Sequence, residues 1–182
     1  MSYKITSFCQ EDIIPPKKAL CLLGFKIGFK YILGHDKIGT FICEMLRIWE
    51  DKIQGPECVI ASIYFKRIVD RVNEKGIYLF TPEAVRRLLL ACLTIACKFY
   101  NEHIYFNQVY ASASNLPIET YNGMELQTLK MLNYKIFVSV EEYFEEEKCL
   151  EEYFDHFSRF IEMPFELLFK LRQKSPGPSS KL

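Results

Sequence analysis

One apolar run restricts the fold of this chain more than any other feature. Residues 88–97 read LLLACLTIAC, and Thr94 is the one residue among them with a hydroxyl group. The run is about half of the roughly 20 residues that a membrane-spanning helix needs. A helix that is apolar on every side must be surrounded by other elements. The run therefore predicts a central helix in a helical protein, and a lysine, Lys98, follows it directly.

The composition is typical of a globular protein with a real core. The chain has 182 residues, of which 49% are hydrophobic and 15% aromatic, enough for one domain with a buried interior. Its formal net charge of zero argues against a protein that holds nucleic acid through a basic surplus. Seven cysteines are scattered without a CxxC pair, which favours reduced thiols in the cytoplasm or nucleus.

Helical periodicity without a convincing strand predicts an all-α fold with five core helices and flanking ones. The third core helix has a clear start, because Thr81, Pro82 and Glu83 supply a hydroxyl cap, a first-turn proline and a carboxylate. It contains the apolar run. The other predicted core helices cover residues 41–53, 56–75, 105–113 and 117–134. Beyond them, the acidic residues 141–155 are interpreted as a solvated helix face, 164–171 as an amphipathic piece, and 173–182 as a disordered tail.

Two charges fall in apolar surroundings. On the fifth predicted helix Glu125 lies about 20° from Ile118 around the axis, inside an apolar stripe. Lys98 ends the apolar third helix. One interpretation is that Lys98 extends past the core to solvent and that Glu125 pairs with it there. The other is that both line a surface and bind backbone groups of a partner. Periodicity alone leaves both interpretations open.

At these residues the sequence resembles a known family. The phrases CVIASIYFKRI, LLLACLTIACKFYNE and MELQTLKMLNYKIFV, in the order of the second, third and fifth predicted helices, look like a cyclin box. The resemblance covers residues 39–138. It makes residues 1–38 an N-terminal flanking segment and 139–172 a C-terminal helical extension. Because too little chain follows for a second five-helix repeat, the sequence is most similar to the single-box P/U-type cyclins. Lys66 departs from the family, where an acidic residue often precedes the arginine that is Arg67 here.

The resemblance implies a function and a site. A cyclin is a regulatory subunit without catalytic residues, cofactor or metal, and it binds a cyclin-dependent protein kinase as a heterodimer. The polar pair that hydrogen-bonds the kinase matches Lys98 and Glu125. The resemblance also implies apolar kinase contacts from Leu129, Tyr134 and Ile136.

Other functions remain as alternatives. The cyclin fold also occurs in transcription factors that bind nucleic acid, and a local basic patch is conceivable here from Arg67, Arg71, Arg86 and Arg87. A helical adaptor is the third alternative. The segment 20–34 mixes aromatic residues with Lys26 and Lys30, and a flanking helix is favoured there over membrane-surface binding.

The sequence argues against an enzyme, and it contains one possible localisation signal. The histidines are isolated, which argues against a metal enzyme. No pattern indicates a small-molecule substrate. The tripeptide Ser180-Lys181-Leu182 reads as a peroxisomal address and is a minor alternative to the cytoplasm or nucleus.

Overall fold

The computed structural model describes residues 16–31, 44–45, 47–49, 52–76, 81–101 and 105–157. Their regular structure is helical and includes no strand, which confirms the all-α prediction. In chain order, the described residues form the helices α1 Pro16–Tyr31, α2 Gly55–Glu74, α3 Pro82–Tyr100, α4 Asn107–Ala113, α5 Ile118–Met131 and α6 Val140–Phe157.

Helices α2 and α3 form the centre of the fold. Residues 88–97 of α3 are all buried, as the all-round apolar run predicts. Residues 57–65 of α2 are also buried without interruption, although the sequence pattern predicts one apolar face for this helix. The pattern underestimates the buried part of α2 because two polar residues, Glu57 and Ser62, are also buried. The two helices pack on each other, and α5 packs on α3 from the other side.

The ends of these helices follow local signals. The Thr81 hydroxyl accepts a hydrogen bond from the N–H of Ala84 at 3.2 Å, and Pro82 occupies the first turn of α3, as predicted. At the end of α2, Gly76 has a φ of +70°, which a residue with a side chain rarely adopts.

The fifth predicted helix stops earlier than expected. The prediction ran to residue 134, but α5 ends at Met131. Asn133 and Tyr134 both adopt left-handed backbone angles, with φ values of 51° and 57°. Such a conformation cannot continue a right-handed helix and is uncommon for residues other than glycine. The chain therefore turns sharply between α5 and α6.

The first predicted core helix is described in part. Glu44, Met45 and residues 47–49 are helical. Trp49 is fully buried and stacks on Tyr110 of α4, with ring centroids 4.8 Å apart. Tyr110 in turn lies parallel to Tyr121 of α5, at 6.4 Å. This aromatic column fastens α4 and α5 to the core.

Two flanking helices, α1 and α6, pack on each other and on α2. The favoured prediction for the 20–34 segment, a packed flanking helix, agrees with α1: Leu20, Leu22, Leu23 and Ile27 are buried. The interpretation of the acidic stretch as a solvated face was wrong at Glu146. This carboxylate is 4% exposed and accepts hydrogen bonds from the Lys26 ammonium of α1 and the Ser62 hydroxyl of α2.

The remaining predictions for the C-terminal part concern residues 164–171 and 173–182, including Ser180, Lys181 and Leu182, which lie outside the described residues. Within the described part of the chain, no helix is long and apolar enough to cross a membrane.

Candidate functional site

Lys98 and Glu125 meet between α3 and α5. The Lys98 ammonium lies 2.7 Å from one carboxylate oxygen of Glu125 and 2.8 Å from the other. The side chains are 29% and 15% exposed, respectively. The pair therefore sits at the border between core and solvent, where it is screened less than a surface pair and desolvated less than a buried one.

A third side chain fixes the carboxylate. The Asn107 amide, in the first turn of α4, donates to a Glu125 oxygen at 2.6 Å and to the Asn122 side chain at 2.7 Å. Glu125 thus connects three helices, α3, α4 and α5. A carboxylate held by both an ammonium and an amide has a defined orientation. The pairing with Lys98 agrees with the first interpretation of the sequence, and binding to a partner stays a prediction.

Exposed apolar side chains adjoin the pair along the chain. Phe99, next to Lys98, is 51% exposed, and Leu126, next to Glu125, is also exposed. Leu129, one turn further along α5, is partly buried against the core. Exposed large apolar side chains around partly buried charges are typical of a protein-binding surface.

The turn after α5 carries further apolar residues of the same kind. We call residues 132–139, which connect α5 to α6, the 132–139 segment. In it, Tyr134 is 61% exposed and Phe137 is 66% exposed, whereas Ile136 is partly buried. The segment and Phe99 border one side of a groove of about 740 Å³, and the C-terminal half of α2 borders the other.

Two tyrosine hydroxyls form hydrogen bonds with the backbone in the middle of the segment. The Tyr64 and Tyr100 hydroxyls both donate to the carbonyl oxygen of Ile136, at 2.5 Å and 3.2 Å. The Tyr100 hydroxyl also accepts from the N–H of Val138 at 3.0 Å. Burial raises the pKa of both tyrosines, so the phenols stay protonated and remain able to donate.

Two arginines of α2 donate hydrogen bonds to backbone carbonyl oxygens in the same region. Arg67 donates to the carbonyl oxygens of Lys135 and Phe137 and pairs with Glu142 of α6. Arg71 donates to the carbonyl oxygen of Met131 at 2.6 Å. The departure at Lys66 therefore does not leave Arg67 without a carboxylate partner, because α6 supplies one.

These contacts bear on the predicted basic patch. Arg67 and Arg71 use their donors within the protein, as above. Arg86 pairs with Glu44 and lies 3.6 Å from Glu83, and Arg87 pairs with Glu83 at 2.7 Å. The four arginines are therefore engaged by carboxylates or carbonyl oxygens, which argues against a surface for phosphate groups.

The described residues offer no alternative chemical centre. No group of three or more histidine, cysteine or acidic side chains among them is arranged to hold a metal ion. Burial raises the pKa of the thiols of Cys58, Cys92 and Cys97, which makes these thiols poor nucleophiles.

The structure adds residues that sequence reasoning missed. Of the predicted site residues, it brings Lys98 and Glu125 into contact and places Tyr134 and Ile136 in the segment that borders the groove. Leu129 lies one turn beyond Glu125 on α5. Phe99 and Phe137 were not predicted to belong to the site. Each is a large apolar residue directly beside a predicted contact residue, and this was the signal in the sequence. The sequence does not show whether such a residue is buried or exposed to solvent.

Comparison with known proteins finds similarity to cyclins. The cyclin family model matches residues 55–136, from the start of α2 through the first half of the 132–139 segment. PHO85 cyclin-1 of Saccharomyces cerevisiae is 29% identical over 120 residues, which are 63% of this chain and 40% of that protein. PHO85 cyclin-7 of the same yeast is 31% identical over 88 residues, 44% of this chain and 31% of that protein.

A plant protein is similar as well. Cyclin-U2-1 of Arabidopsis thaliana is 28% identical over 118 residues, 59% of this chain and 52% of that protein. The matched part of the chain thus spans about half or less of the length of these three relatives. No solved structure matches the chain. The matched domain, the all-helical fold and these relatives support the resemblance to cyclins, and among them to the P/U-type cyclins.

Proposed function

We propose that this chain is a regulatory subunit, not itself an enzyme, that binds and activates a cyclin-dependent protein kinase. Cyclins act on kinases as a family, and the names of two relatives above refer to PHO85. The proposal for this chain adds a docking surface. The proposed surface consists of Lys98, Glu125, Leu129, Tyr134 and Ile136, and we include Phe99 and Phe137 because they are exposed.

The observation that carries the proposal is the partly buried Lys98–Glu125 pair, flanked along the chain by the exposed Phe99 and Leu126. A charge pair at the edge of an apolar patch can exchange part of its internal bonding for bonds to a partner without crossing the core. Lys98 would then donate to backbone carbonyl oxygens at the end of a partner helix, and Glu125 would accept from N–H groups or keep Lys98 in place. Both types of bond involve a charge and are stronger than neutral hydrogen bonds.

The apolar side chains supply the contact area. Tyr134, Phe137 and Phe99 each expose more than half of their surface in the free protein. Aromatic residues dominate binding energy at protein interfaces because they bury a large area at a low entropy cost. Ile136 and Leu129 are partly buried and pack against the core, which restricts their motion within the patch.

The mechanism follows from the requirements of kinase catalysis. A kinase is active when the glutamate of its αC helix pairs with the lysine of strand β3 and the activation loop is open. A cyclin that docks on the αC helix and holds it inward binds the active conformation more tightly than the inactive one. By linkage, it shifts the kinase toward activity. The subunit itself needs no cofactor and no small-molecule substrate.

The test compares the wild-type protein with the double variant Lys98→Ala/Glu125→Ala in a pull-down from the native cell extract, followed by a histone kinase assay. Arg87→Ala, which removes an exposed arginine far along α3 from the pair, is the matched control. Removing charged hydrogen-bond partners at an interface costs about 2–5 kcal/mol of binding. We therefore expect wild type and control to retain an active kinase and the double variant to lose it, with circular dichroism unchanged.

Two results would count against the proposal. If neither wild type nor control retains a kinase, the fold serves another purpose, and nucleic acid or another protein becomes the partner to seek. If the double variant retains the same active kinase as wild type, the chain is a kinase subunit whose docking surface lies elsewhere.

A further inference from the structure

We infer that Arg67 is a positioning residue that holds the 132–139 segment in its binding shape, and that Glu142 ties this shape to helix α6. The consequence for kinase binding rests on the proposed function, whereas the effect on the segment does not. Glu142 lies outside the range that the cyclin family model matches, so the inference assigns a role to α6 as well.

The geometry of Arg67 is that of a clamp. Its Nη1 donates to the carbonyl oxygen of Lys135 at 2.9 Å, and its Nη2 donates to that of Phe137 at 3.0 Å. On the same guanidinium, Nε and Nη2 donate to the two carboxylate oxygens of Glu142, at 3.1 Å and 2.6 Å. A planar guanidinium makes all four bonds at once, and a lysine ammonium cannot reproduce this fork.

The clamp acts on alternate residues of the segment. Arg67 takes the carbonyl groups of Lys135 and Phe137, whereas the two tyrosines take the carbonyl group of Ile136 between them. Three successive peptide units are thereby fixed by side chains of α2 and α3. Since peptide orientation determines where side chains point, this fixes the direction of Ile136 and Phe137 on the surface.

The segment needs such support because part of its backbone adopts an energetically unfavourable conformation. Left-handed angles at Asn133 and Tyr134 are unfavourable for residues with side chains and persist only where the surroundings hold them. Lys135 and Phe137 are exposed, so their carbonyl groups would bind water if Arg67 were absent. A loosened segment must then be ordered again on binding, which lowers affinity.

Glu142 makes the clamp depend on α6. It lies in the first turn of α6, where its N–H donates a hydrogen bond to the hydroxyl oxygen of Ser139 at 3.2 Å. Helix α6 is itself fastened by Glu146 to Lys26 and Ser62. Displacing α6 therefore removes the carboxylate that orients the Arg67 fork.

The experiment measures amide hydrogen exchange in the full chain for Arg67→Lys and Glu142→Gln. The first variant keeps the charge but loses the fork, and the second keeps an acceptor but loses the charge. Arg87→Lys, in an exposed pair with Glu83, controls for the substitution itself. Ile60→Val, a core truncation in the other half of α2, controls for global stability. Each protein is also measured for affinity to the kinase that wild type retains in the pull-down.

We expect exchange at Val138 and residues 134–137 to accelerate about tenfold or more in both clamp variants, since local opening sets exchange in such segments. The controls should leave exchange in the segment close to the wild-type rate after correction for global stability. Kinase affinity should fall on the order of tenfold in the clamp variants alone, because a loosened segment loses its preorganisation.

Exchange in the segment at the wild-type rate in both variants would overturn the inference, with or without a kinase. Accelerated exchange together with unchanged kinase affinity would overturn its functional part and leave the proposed function standing. If wild type retains no kinase, the proposed function fails, and the exchange rates alone decide whether Arg67 positions the segment.

Discussion

Of the lysine–glutamate pairs that connect helices in the described part of the chain, two differ clearly in their surroundings. Lys26 and Glu146 join α1 to α6, with side chains that are 12% and 4% exposed, and Ser62 completes the contact. Lys98 and Glu125 join α3 to α5 with about twice or more of that exposure, next to Phe99 and other exposed apolar residues.

The difference separates a structural contact from a binding one. In a buried pair neither charge can be removed without leaving the other desolvated and unpaired. In a partly exposed pair water compensates in part for a lost partner, so the free protein gains less from the contact than it does from a buried pair. The first pair is therefore suited to hold the flanking helices, and the second is suited to exchange its bonds with a partner.

The largest expected effect comes from breaking the buried pair. Glu146→Ala leaves the Lys26 ammonium without its carboxylate and should lower the free energy of unfolding by about 3–5 kcal/mol. Urea unfolding followed by circular dichroism measures this loss. A loss below 1 kcal/mol would mean that water reaches Lys26 and that the pair is not a buried one.

Replacing both charges gives the matched control for that variant. In Lys26→Met/Glu146→Leu no charge is left uncompensated, and the apolar side chains are of similar size. The free energy of unfolding should therefore return to within about 1–2 kcal/mol of the wild-type value. A double variant as unstable as Glu146→Ala would show that the hydrogen bond from Ser62 to Glu146 supplies most of the stabilisation.

The partly exposed Lys98–Glu125 pair should contribute less to stability. Lys98→Ala and Glu125→Ala should each lower the free energy of unfolding by about 1 kcal/mol or less, because solvent replaces the lost partner. The same urea titration measures both. If Glu125→Ala destabilised the protein as much as Glu146→Ala, the pair would be a core contact, and the interpretation of Lys98 and Glu125 as a binding pair would lose its support.

A third carboxylate, Glu57, extends the comparison, because it is buried and no ion pair to it occurs among the described residues. Burial raises its pKa, and a hydrogen bond from the Gln54 N–H partly offsets this. The folded protein therefore binds this proton more tightly than the unfolded chain does. Wild type should lose stability as the pH rises from the ordinary glutamate pKa toward the raised value.

Glu57→Gln removes this titration while keeping an acceptor for Gln54. The free energy of unfolding of the variant, minus that of wild type, should therefore increase as the pH rises from about 4 to 7. Thermal unfolding at several pH values measures the trend. A difference that does not change with pH would show that Glu57 remains ionised at no cost.

Local signals predicted much of the fold. The cap at Thr81 and the run at residues 88–97 gave α3 its start and its central place, because both act through nearest neighbours and total apolar content. The sequence also predicted that Lys98 and Glu125 belong together, through the resemblance to cyclins. It did not predict the burial of Glu146, because several glutamates lie close together in this stretch and the sequence does not indicate which of them contacts Lys26.

The sequence by itself determined the helical class, the central apolar helix, the likeness to cyclins and the residue types of the site. These depend on periodicity, capping and motif order along the chain. Only the tertiary structure decided which charges are buried, that Arg67 holds the 132–139 segment with a carboxylate from α6, and that Phe99 and Phe137 face solvent. The reason is physical: burial and long-range pairing depend on which helices pack together, and residues 75 positions apart meet only in the folded chain.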